Sequence, residues 1–343
     1  MLIVICSFYF VAFSSHAQKV IFLHHSTGSG VYYEGSVENW ITNYNAENNT
    51  NIEISETNYP DSPWPWENYP YDYWKLWVDG ACNSNETGIE CLSTLTQKYD
   101  VIIFKHCFPG ASIQADNSEG DIASGEKTLP NYKLQYSALR ELFDEFPDNK
   151  FIAWTLAPLH RLATNNDEAK RANEFANWVK NEWLSEDGKE HPNIFVFDFY
   201  GLAAEMETNP AKGKQFCLKY SYEGSHDDSD SHPNTLANQT IGPLFAQEIV
   251  DIALTSASNG INENKNKIAV IYPNMLKRGE SFTVTGSADT PTTLTLFDLN
   301  GQKIMQEIIE HTSLISTEKF RQGIYLVSIE STNNKIIQRL FVK

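Results

Sequence analysis

The chain has 343 residues, enough for one large domain and a smaller second one. Its formal net charge is -18 and its pI is near 4.9. An acidic surface repels the phosphate backbone, so nucleic acid is not an expected partner. The 8 Trp and the 13% aromatic content exceed what a plain core requires. Exposed rings often stack on sugars, although positions in the core or as loop anchors are the favoured explanation.

The chain opens on an apolar segment. Residues 1–13 carry no charge, and Ser15 and Ala17 supply the small side chains that a signal peptidase accepts. We therefore predict a signal peptide over residues 1–17, although no Lys or Arg precedes the apolar run. The run is too short to cross a bilayer and no later stretch is long and apolar enough, so no membrane span is expected.

From Val20 onward, short β-branched and aromatic runs alternate with amphipathic stretches. This alternation is typical of βαβ units around a parallel sheet. Each run is nearly all apolar, as a sheet covered on both faces requires. The predicted strands are residues 20–23, 101–104, 151–155 and 194–197.

Two helices and one long loop complete this region. Asn165 and Glu168 predict a capping box before a helix. One face of that helix would carry Ala172, Phe175, Ala176, Val179 and Trp183. A last helix is predicted over residues 236–253. Residues 58–80 are crowded with Trp, Tyr and Pro, which predicts a long ordered loop over one end of the sheet.

The composition changes after residue 253. Residues 255–267 are polar and typical of a flexible linker. Asn300-Gly301 predicts a hairpin, because both residues tolerate positive φ. Strands are predicted at residues 282–284, 293–298, 303–306, 323–330 and 335–342. The sequence thus predicts an α/β domain over residues 18–254 and a small all-β domain over residues 268–343.

Four of the 5 cysteines lie beyond the signal segment: Cys82, Cys91, Cys107 and Cys217. An even number in an exported chain predicts disulfides. Cys82 and Cys91 bracket a polar loop and are the preferred pair, which leaves Cys107 with Cys217. The spacings are not those of a paired CxxC zinc site, and we expect neither a metal nor a cofactor.

The first strand ends in His24-His25-Ser26-Thr27-Gly28. A serine there lies at the carboxyl edge of a doubly wound sheet, where such folds bind ligands. Gly28 would let the backbone approach a substrate, and the Ser26 N–H would face a developing oxyanion. Ser-Thr-Gly after a strand is also an ordinary helix cap.

An acidic loop with a histidine precedes the last helix. It reads Asp227-Asp228-Ser229-Asp230-Ser231-His232-Pro233-Asn234. A hydrolytic serine needs an imidazole to take its proton, and the imidazole needs a carboxylate to fix its tautomer. A solvated acidic loop and a calcium site are the alternatives, although the segment lacks the Gly and the distal Glu of an EF-hand.

Together, Ser26, the Asp/His loop and the α/β alternation resemble the SGNH/GDSL hydrolase superfamily over residues 19–253. The resemblance implies a flavodoxin-like three-layer α/β/α fold with Ser26 as nucleophile and His232 as general base. The family usually spaces its Asp three residues before the His, where this chain has Ser229. The acid is then Asp228 or Asp230, of which Asp230 is preferred.

The oxyanion segment departs from the family pattern. The Gly-Asp-Ser opening reads His24-His25-Ser26, and the Gly-x-Asn-Asp segment reads Lys-His-Cys-Phe over residues 105–108. Cys107 therefore stands where the oxyanion Asn is expected. Gly80 or Gly110 would supply a second N–H, and Lys105 or His106 would substitute electrostatically. A Cys107–Cys217 bridge would hold this segment near the His232 loop.

The tail carries a second likeness. Its segments at residues 272–274, 296–301, 320–326 and 340–343 resemble the C-terminal sorting domain of type IX secretion in Bacteroidetes. The resemblance implies the type IX machinery as a partner, with the protein finishing at the cell surface or in the medium. A carbohydrate-binding or spacer β-module is the alternative.

The two resemblances imply an exported hydrolase of carboxylic esters. Its substrate would be a small-molecule or polysaccharide ester, with acyl groups on polysaccharide favoured by the aromatic loop and the extracellular location. Acyl transfer would use the same residues. The alternative from another class is a noncatalytic surface protein on a degenerate hydrolase scaffold, which would bind glycan through Trp64, Trp66, Tyr69, Tyr71 and Tyr73.

Overall fold

A computed structural model describes residues 17–62, 64–65, 67–84, 88–255, 270–272, 275–285, 292–298, 302–309, 312–331 and 334–342. All but the last residue of the predicted signal peptide, most of the predicted linker and the Asn300-Gly301 turn lie outside these residues. The chain divides into two compact units, residues 1–257 and 258–343, and each is described by itself.

The first unit is built on a five-stranded parallel sheet in the order β2-β1-β3-β4-β5. The strands are β1 (Gln18–His24), β2 (Ile52–Asn58), β3 (Val101–Phe104), β4 (Lys150–Trp154) and β5 (Ile194–Phe197). The predicted parallel α/β fold is confirmed. After β1 the chain adds β2 on one side of it and then β3, β4 and β5 on the other side. The connections from β1 and β3 therefore leave on opposite faces of the sheet, which opens a crevice at the carboxyl ends of these two strands.

Helices cover both faces of this sheet. They are α1 (Thr27–Glu34), α2 (Val37–Asn48), α3 (Pro70–Tyr73), α4 (Leu92–Lys98), α5 (Leu129–Asp144), α6 (Asn166–Asn181), α7 (Phe199–Ala203) and α8 (Thr235–Leu254). In β1, Val20 and Phe22 pack on the side of α1, α2 and α8, while Ile21 and Leu23 pack on the side of α4, α5 and α6. Burial on both faces explains why the central strands are continuous apolar runs.

Of the two hydrogen bonds of the capping box predicted before α6, the structure has the one accepted by Asn165 but not the one accepted by Glu168. The Asn165 side chain accepts hydrogen bonds from the N–H groups of Asp167 and Glu168 at 3.0 and 2.9 Å. The Glu168 carboxylate instead accepts from the Thr164 hydroxyl at 3.1 Å. The predicted face is buried, and Trp183 lies just beyond the end of the helix.

Two elements differ from the sequence prediction. Residues 58–80 are not a plain loop, because they contain α3 and a π-helical turn, Trp74–Val78. Pro70 occupies the first turn of α3, and the Asp72 carboxylate accepts from the Tyr69 N–H at 3.3 Å. Strand β2 was not predicted. It is an edge strand in which Ile52 is the one buried residue, so it has no apolar run to detect.

The disulfide prediction is half right. Cys82 and Cys91 are bonded, with their Cα atoms 5.3 Å apart. Cys107 and Cys217 are free and buried, so the predicted pair is wrong. Cys107 follows β3 with its sulfur toward Ser26, whereas the Cys217 carbonyl is held by the Glu205 N–H at 2.7 Å.

The second unit is a small all-β domain, as predicted. Its sheets have the orders β10-β9-β12-β13-β7 and β11-β8-β6. The strands are β6 (Val270–Tyr272), β7 (Met275–Leu276), β8 (Ser281–Thr285), β9 (Thr292–Asp298), β10 (Lys303–Ile309), β11 (Thr312–Ser316), β12 (Gly323–Ser331) and β13 (Asn334–Val342). Strands β9 and β10 pair antiparallel, as the hairpin motif predicted, and Phe282 and Leu296 contribute to one core shared by both sheets.

Close packing of α1 against α8 joins the two ends of the first unit. A Cβ atom on Gly242 would lie 2.5 Å from the Gly35 Cα atom, so the backbones meet where a side chain would not fit. The Asn238 amide also donates to the Glu34 carboxylate at 2.9 Å. This contact brings together the segments before the two helices, which carry Ser26 and His232.

We expect Gly242→Ala to lower the free energy of unfolding of the full chain by about 1–3 kcal/mol, because the methyl group meets backbone atoms. The better helix propensity of Ala offsets only part of this loss. Denaturant unfolding measures it. Gly224→Ala is the matched control, since its Cβ would lie no closer than 3.9 Å from a neighbour. Equal stability of the two variants would contradict the close contact.

Candidate active site

A cavity of about 480 Å³ lies at the crevice between β1 and β3. Its lining comes from four distant parts of the chain: His25 and Ser26 after β1, Glu67, the turn after β3 with Cys107, Phe108 and Pro109, and His232 before α8. The structure therefore brings together three of the predicted site residues, Ser26, Cys107 and His232. The Pro-Gly pair after Phe108 is the one sequence signal for the turn, and nothing in the sequence pointed to Glu67.

Ser26 is exposed and has an unusual backbone conformation. Its φ is 32° and its ψ is -87°, outside the regions that L-residues favour. Such a conformation costs about 1–3 kcal/mol. Among the described residues, its hydroxyl caps no N–H of α1 and its own N–H has no acceptor. The ordinary helix-cap alternative therefore does not describe this serine.

Asp230 and His232 form a pair. His232 Nδ1 lies 2.5 Å from Asp230 Oδ1, and that oxygen also accepts the His232 N–H at 3.1 Å. Although partial burial opposes it, these contacts with His232 lower the pKa of Asp230. Asp228 instead accepts the Asp230 N–H at 3.0 Å. With Nδ1–H on the carboxylate, Nε2 of His232 is left as a base.

The ring of His232 rests on Phe108. The two ring centres are 4.9 Å apart and the planes are nearly perpendicular, at 87°. The turn after β3 therefore holds the imidazole from one side, while Asp230 holds it from the other.

A buried ion cluster anchors the loop that carries this pair. Glu223, at the start of the loop, has a fully buried side chain. Its carboxylate lies 3.1 Å from His160 Nε2, 3.1 Å from Arg161 Nε and 2.8 Å from His226 Nδ1. The His160 N–H donates to the Ser231 hydroxyl at 2.8 Å. The loop is thus fixed to the segment after β4 immediately beside His232.

Lys105 and Cys107 lie beneath Ser26. Lys105 is 1% exposed, and its Nζ donates to the His25 carbonyl at 2.9 Å. Burial lowers the pKa of Lys105 to about 8, opposed by Cys107. Burial also lowers the pKa of His106 to about 3, with the charge of Lys105 adding to the effect. His106 faces the Tyr136 hydroxyl at 2.7 Å and is not among the residues that line the cavity.

The backbone N–H groups predicted as oxyanion donors do not face Ser26 or are already hydrogen-bonded. Gly80 opens a 3-10 turn, Ala81–Asn83, beside the disulfide and does not line the cavity, so the structure does not bring it to Ser26. The Gly110 N–H donates to the Cys107 carbonyl, and the Cys107 N–H donates to the Asn68 carbonyl, both at 2.9 Å. Cys107 therefore has only its thiol to offer a substrate.

Gly28 serves packing rather than substrate approach. A Cβ atom there would lie 2.5 Å from the His24 Cβ atom and 3.0 Å from Lys105 Cδ. The missing side chain makes room for the buried stem of Lys105.

Two polar cavities continue from the Ser26 cavity. One of about 570 Å³ shares Glu67 with it and is also lined by Tyr69, Asp116 and Lys127. The other, of about 750 Å³, shares Gln114 and Ala115 with this 570 Å³ cavity. These two cavities are lined mostly by hydroxyl, amide and charged groups, whereas the Ser26 cavity presents more apolar than polar surface.

The aromatic segment of the proposed glycan binder points inward. Tyr69 and Tyr73 are buried in the core, and Trp64 and Tyr71 are half-buried against it. Trp66 lies outside the described residues. The described rings therefore form core contacts rather than an exposed stacking platform.

We expect Glu223→Gln to lower the free energy of unfolding by about 2 kcal/mol, at the low end for a buried ion pair because Arg161 is partly exposed. Amide exchange over residues 224–232 should quicken as the loop loses its anchor. Glu90→Gln, which breaks a surface pair with Lys98, is the control and should cost under about 1 kcal/mol. Equal effects of the two substitutions would count against the anchoring role.

Comparison with known proteins identifies the second unit. The family model of a secretion system C-terminal sorting domain matches residues 270–343. The predicted type IX sorting domain is confirmed, and such a domain directs a protein to the cell surface or the extracellular space. Among the described residues, none of the helices has the length and apolarity that a bilayer crossing requires.

The chain has remote structural likenesses to solved structures. A gut microbial diltiazem-metabolizing enzyme is 11% identical with a TM-score of 0.36, over 86% of this chain and 70% of that one. A carbohydrate esterase whose active site displays divergent catalytic and non-catalytic binding functions is 12% identical with a TM-score of 0.35, over 71% and 69%. Both scores are low, and neither likeness bears on the chemistry of the site. No curated protein matches the chain.

Proposed function

We propose that this secreted protein is a serine hydrolase of carboxylic esters, with Ser26 as nucleophile, His232 as general base and Asp230 as the acid that orients it. One observation carries the proposal. Ser26 is exposed, has a strained backbone and does not cap α1. It lines one cavity with His232, whose Nδ1 lies 2.5 Å from Asp230 Oδ1. The arrangement supplies a nucleophile, a base and an orienting group at the ligand-binding crevice of the fold.

The mechanism follows from the atoms present. Ser26 Oγ attacks the carbonyl carbon while His232 Nε2 takes its proton, and Asp230 stabilises the imidazolium. The Ser26 N–H, which has no acceptor among the described residues, binds the developing oxyanion. The imidazolium then protonates the leaving alcohol, and a water activated by the same Nε2 releases the acid.

The three neighbouring cavities favour an acylated polysaccharide as substrate. The Ser26 cavity is mainly apolar, which suits an acyl group, while the two cavities adjoining it through Glu67 and Gln114 are lined largely by groups that hydrogen-bond to hydroxyls. A sugar chain would lie in the two polar cavities with one acyl group in the Ser26 cavity. The extracellular destination is where such polymers are met.

A fluorophosphonate tests for an activated serine without knowledge of the substrate. We expect the full chain to form one adduct at Ser26, located by peptide mass spectrometry, and to lose it in Ser26→Ala. His232→Ala should slow labelling by at least about 100-fold, because the base is removed. A folded protein without an adduct at Ser26 would refute the mechanism and favour a noncatalytic surface protein.

Asp230→Asn and Asp228→Asn form a matched pair. We expect Asp230→Asn to lower turnover of p-nitrophenyl acetate by about 100- to 10,000-fold, because the imidazole loses its orienting charge. Asp228→Asn should stay within about threefold, since an amide oxygen still accepts the Asp230 N–H. A larger loss from Asp228→Asn would reassign the acid.

A further inference from the structure

The Lys105 ammonium is buried, and no ion pair compensates it within the part of the chain that the structure describes. At 1% exposure it contacts no carboxylate among the described residues. Its recorded partners are the His25 carbonyl at 2.9 Å and the Cys107 sulfur at 3.9 Å. Burying a cation with so little compensation costs stability. A lysine kept at this cost beside the Ser26 cavity invites a functional explanation.

The sulfur of Cys107 is in contact with both the ammonium and the Ser26 hydroxyl. Cys107 Sγ is 3.9 Å from Lys105 Nζ and 3.7 Å from Ser26 Oγ, and Cys107 lines the same cavity as Ser26. An ammonium has donors and no acceptor, so the sulfur accepts from Lys105. The thiol hydrogen is then available to an acceptor other than Lys105.

We propose that the Cys107 thiol is a catalytic hydrogen-bond donor to the oxyanion formed at Ser26, and that Lys105 is the positioning residue that orients and polarises it. The inference rests on the proposed function and deepens it. In this role the thiol donates a hydrogen bond and transfers no proton, and the ammonium acts through sulfur and through the His25 carbonyl next to Ser26. The site thereby gains the second donor that the Cys107 and Gly110 N–H groups cannot supply.

Three histidines and two carboxylates surround Lys105. Burial lowers the pKa of His24 to about 4, with the charge of Lys105 adding to it, and lowers the pKa of His25 as well. His106 stays neutral for the same reason. Glu56 pairs with His24 from β2, and Asp61 lies near His25. Burial brings the pKa of Lys105 itself to about 8, within reach of a pH profile.

The test compares variants of the full chain by p-nitrophenyl acetate turnover, fluorophosphonate labelling of Ser26 and thermal unfolding. Lys105→Met should lower kcat about 10- to 100-fold with KM within twofold, while Tm at pH 7 stays equal or rises. Because the charged form of Lys105 is lost above about pH 8, wild-type turnover should fall through that pH. Lys105→Met should lack this limb, and Lys105→Arg should restore part of the rate.

The thiol is tested alongside. Cys107→Ala should match Lys105→Met, Cys107→Ser should keep turnover within about tenfold of wild type, and the double variant Lys105→Met/Cys107→Ala should lose no more than either single variant. Lys150→Met is the control for a structural lysine. Lys150 donates to the Ile252 carbonyl at 2.7 Å at the end of α8, so its loss should lower Tm and leave kcat unchanged.

The outcomes separate the two proposals. Wild type labelled at Ser26 with Lys105→Met at full turnover would overturn this inference alone. A fall in kcat that only parallels a fall in Tm, or losses that add in the double variant, would also overturn it, since both indicate a structural role. Turnover that survives Ser26→Ala but not Cys107→Ala would make Cys107 the nucleophile. Wild type without a Ser26 adduct would remove the proposed function and this inference with it.

Discussion

The contact between α1 and α8 is the constraint on which the rest of the first unit depends. Gly35 and Gly242 let the two backbones meet, and Asn238 adds a hydrogen bond to Glu34. Ser26 immediately precedes α1, and the loop with His232 immediately precedes α8. Close helix packing therefore places residues from opposite ends of the domain around one cavity. A methyl group at the contact would push the helices apart and displace both Ser26 and His232.

The sequence predicted the buried part of the fold better than its margins. Central strands such as β3 are covered on both faces, so they appear as apolar runs. Strand β2 has one covered face at the sheet edge and is polar in sequence. The Cys82–Cys91 pair spans a short loop and was predictable, whereas the pairing of Cys107 rested on parity, which carries no information about the fold.

The sequence predicted the segments around the candidate site but could not choose among neighbouring residues. Asp228 and Asp230 are equally acidic in sequence, and only the turn decides that Asp230 faces His232. Gly80 was a candidate for a second oxyanion N–H, yet the position of its loop places it beside the disulfide. Lys105 was predicted to act electrostatically, and its burial depends on the space that Gly28 leaves, which no local pattern records.

Residues 24–26 and 105–108, where the sequence departs from the hydrolase pattern that it resembles, include two energetically unfavourable features. Ser26 has a strained backbone, and the buried Lys105 contacts no carboxylate among the described residues. Each feature costs stability, and a scaffold kept only for binding could relax both, for example by an apolar side chain in place of Lys105. Both features meet at one sulfur, since Cys107 Sγ is 3.7 Å from Ser26 Oγ and 3.9 Å from Lys105 Nζ, and the proposed oxyanion role of Cys107 would account for their common location.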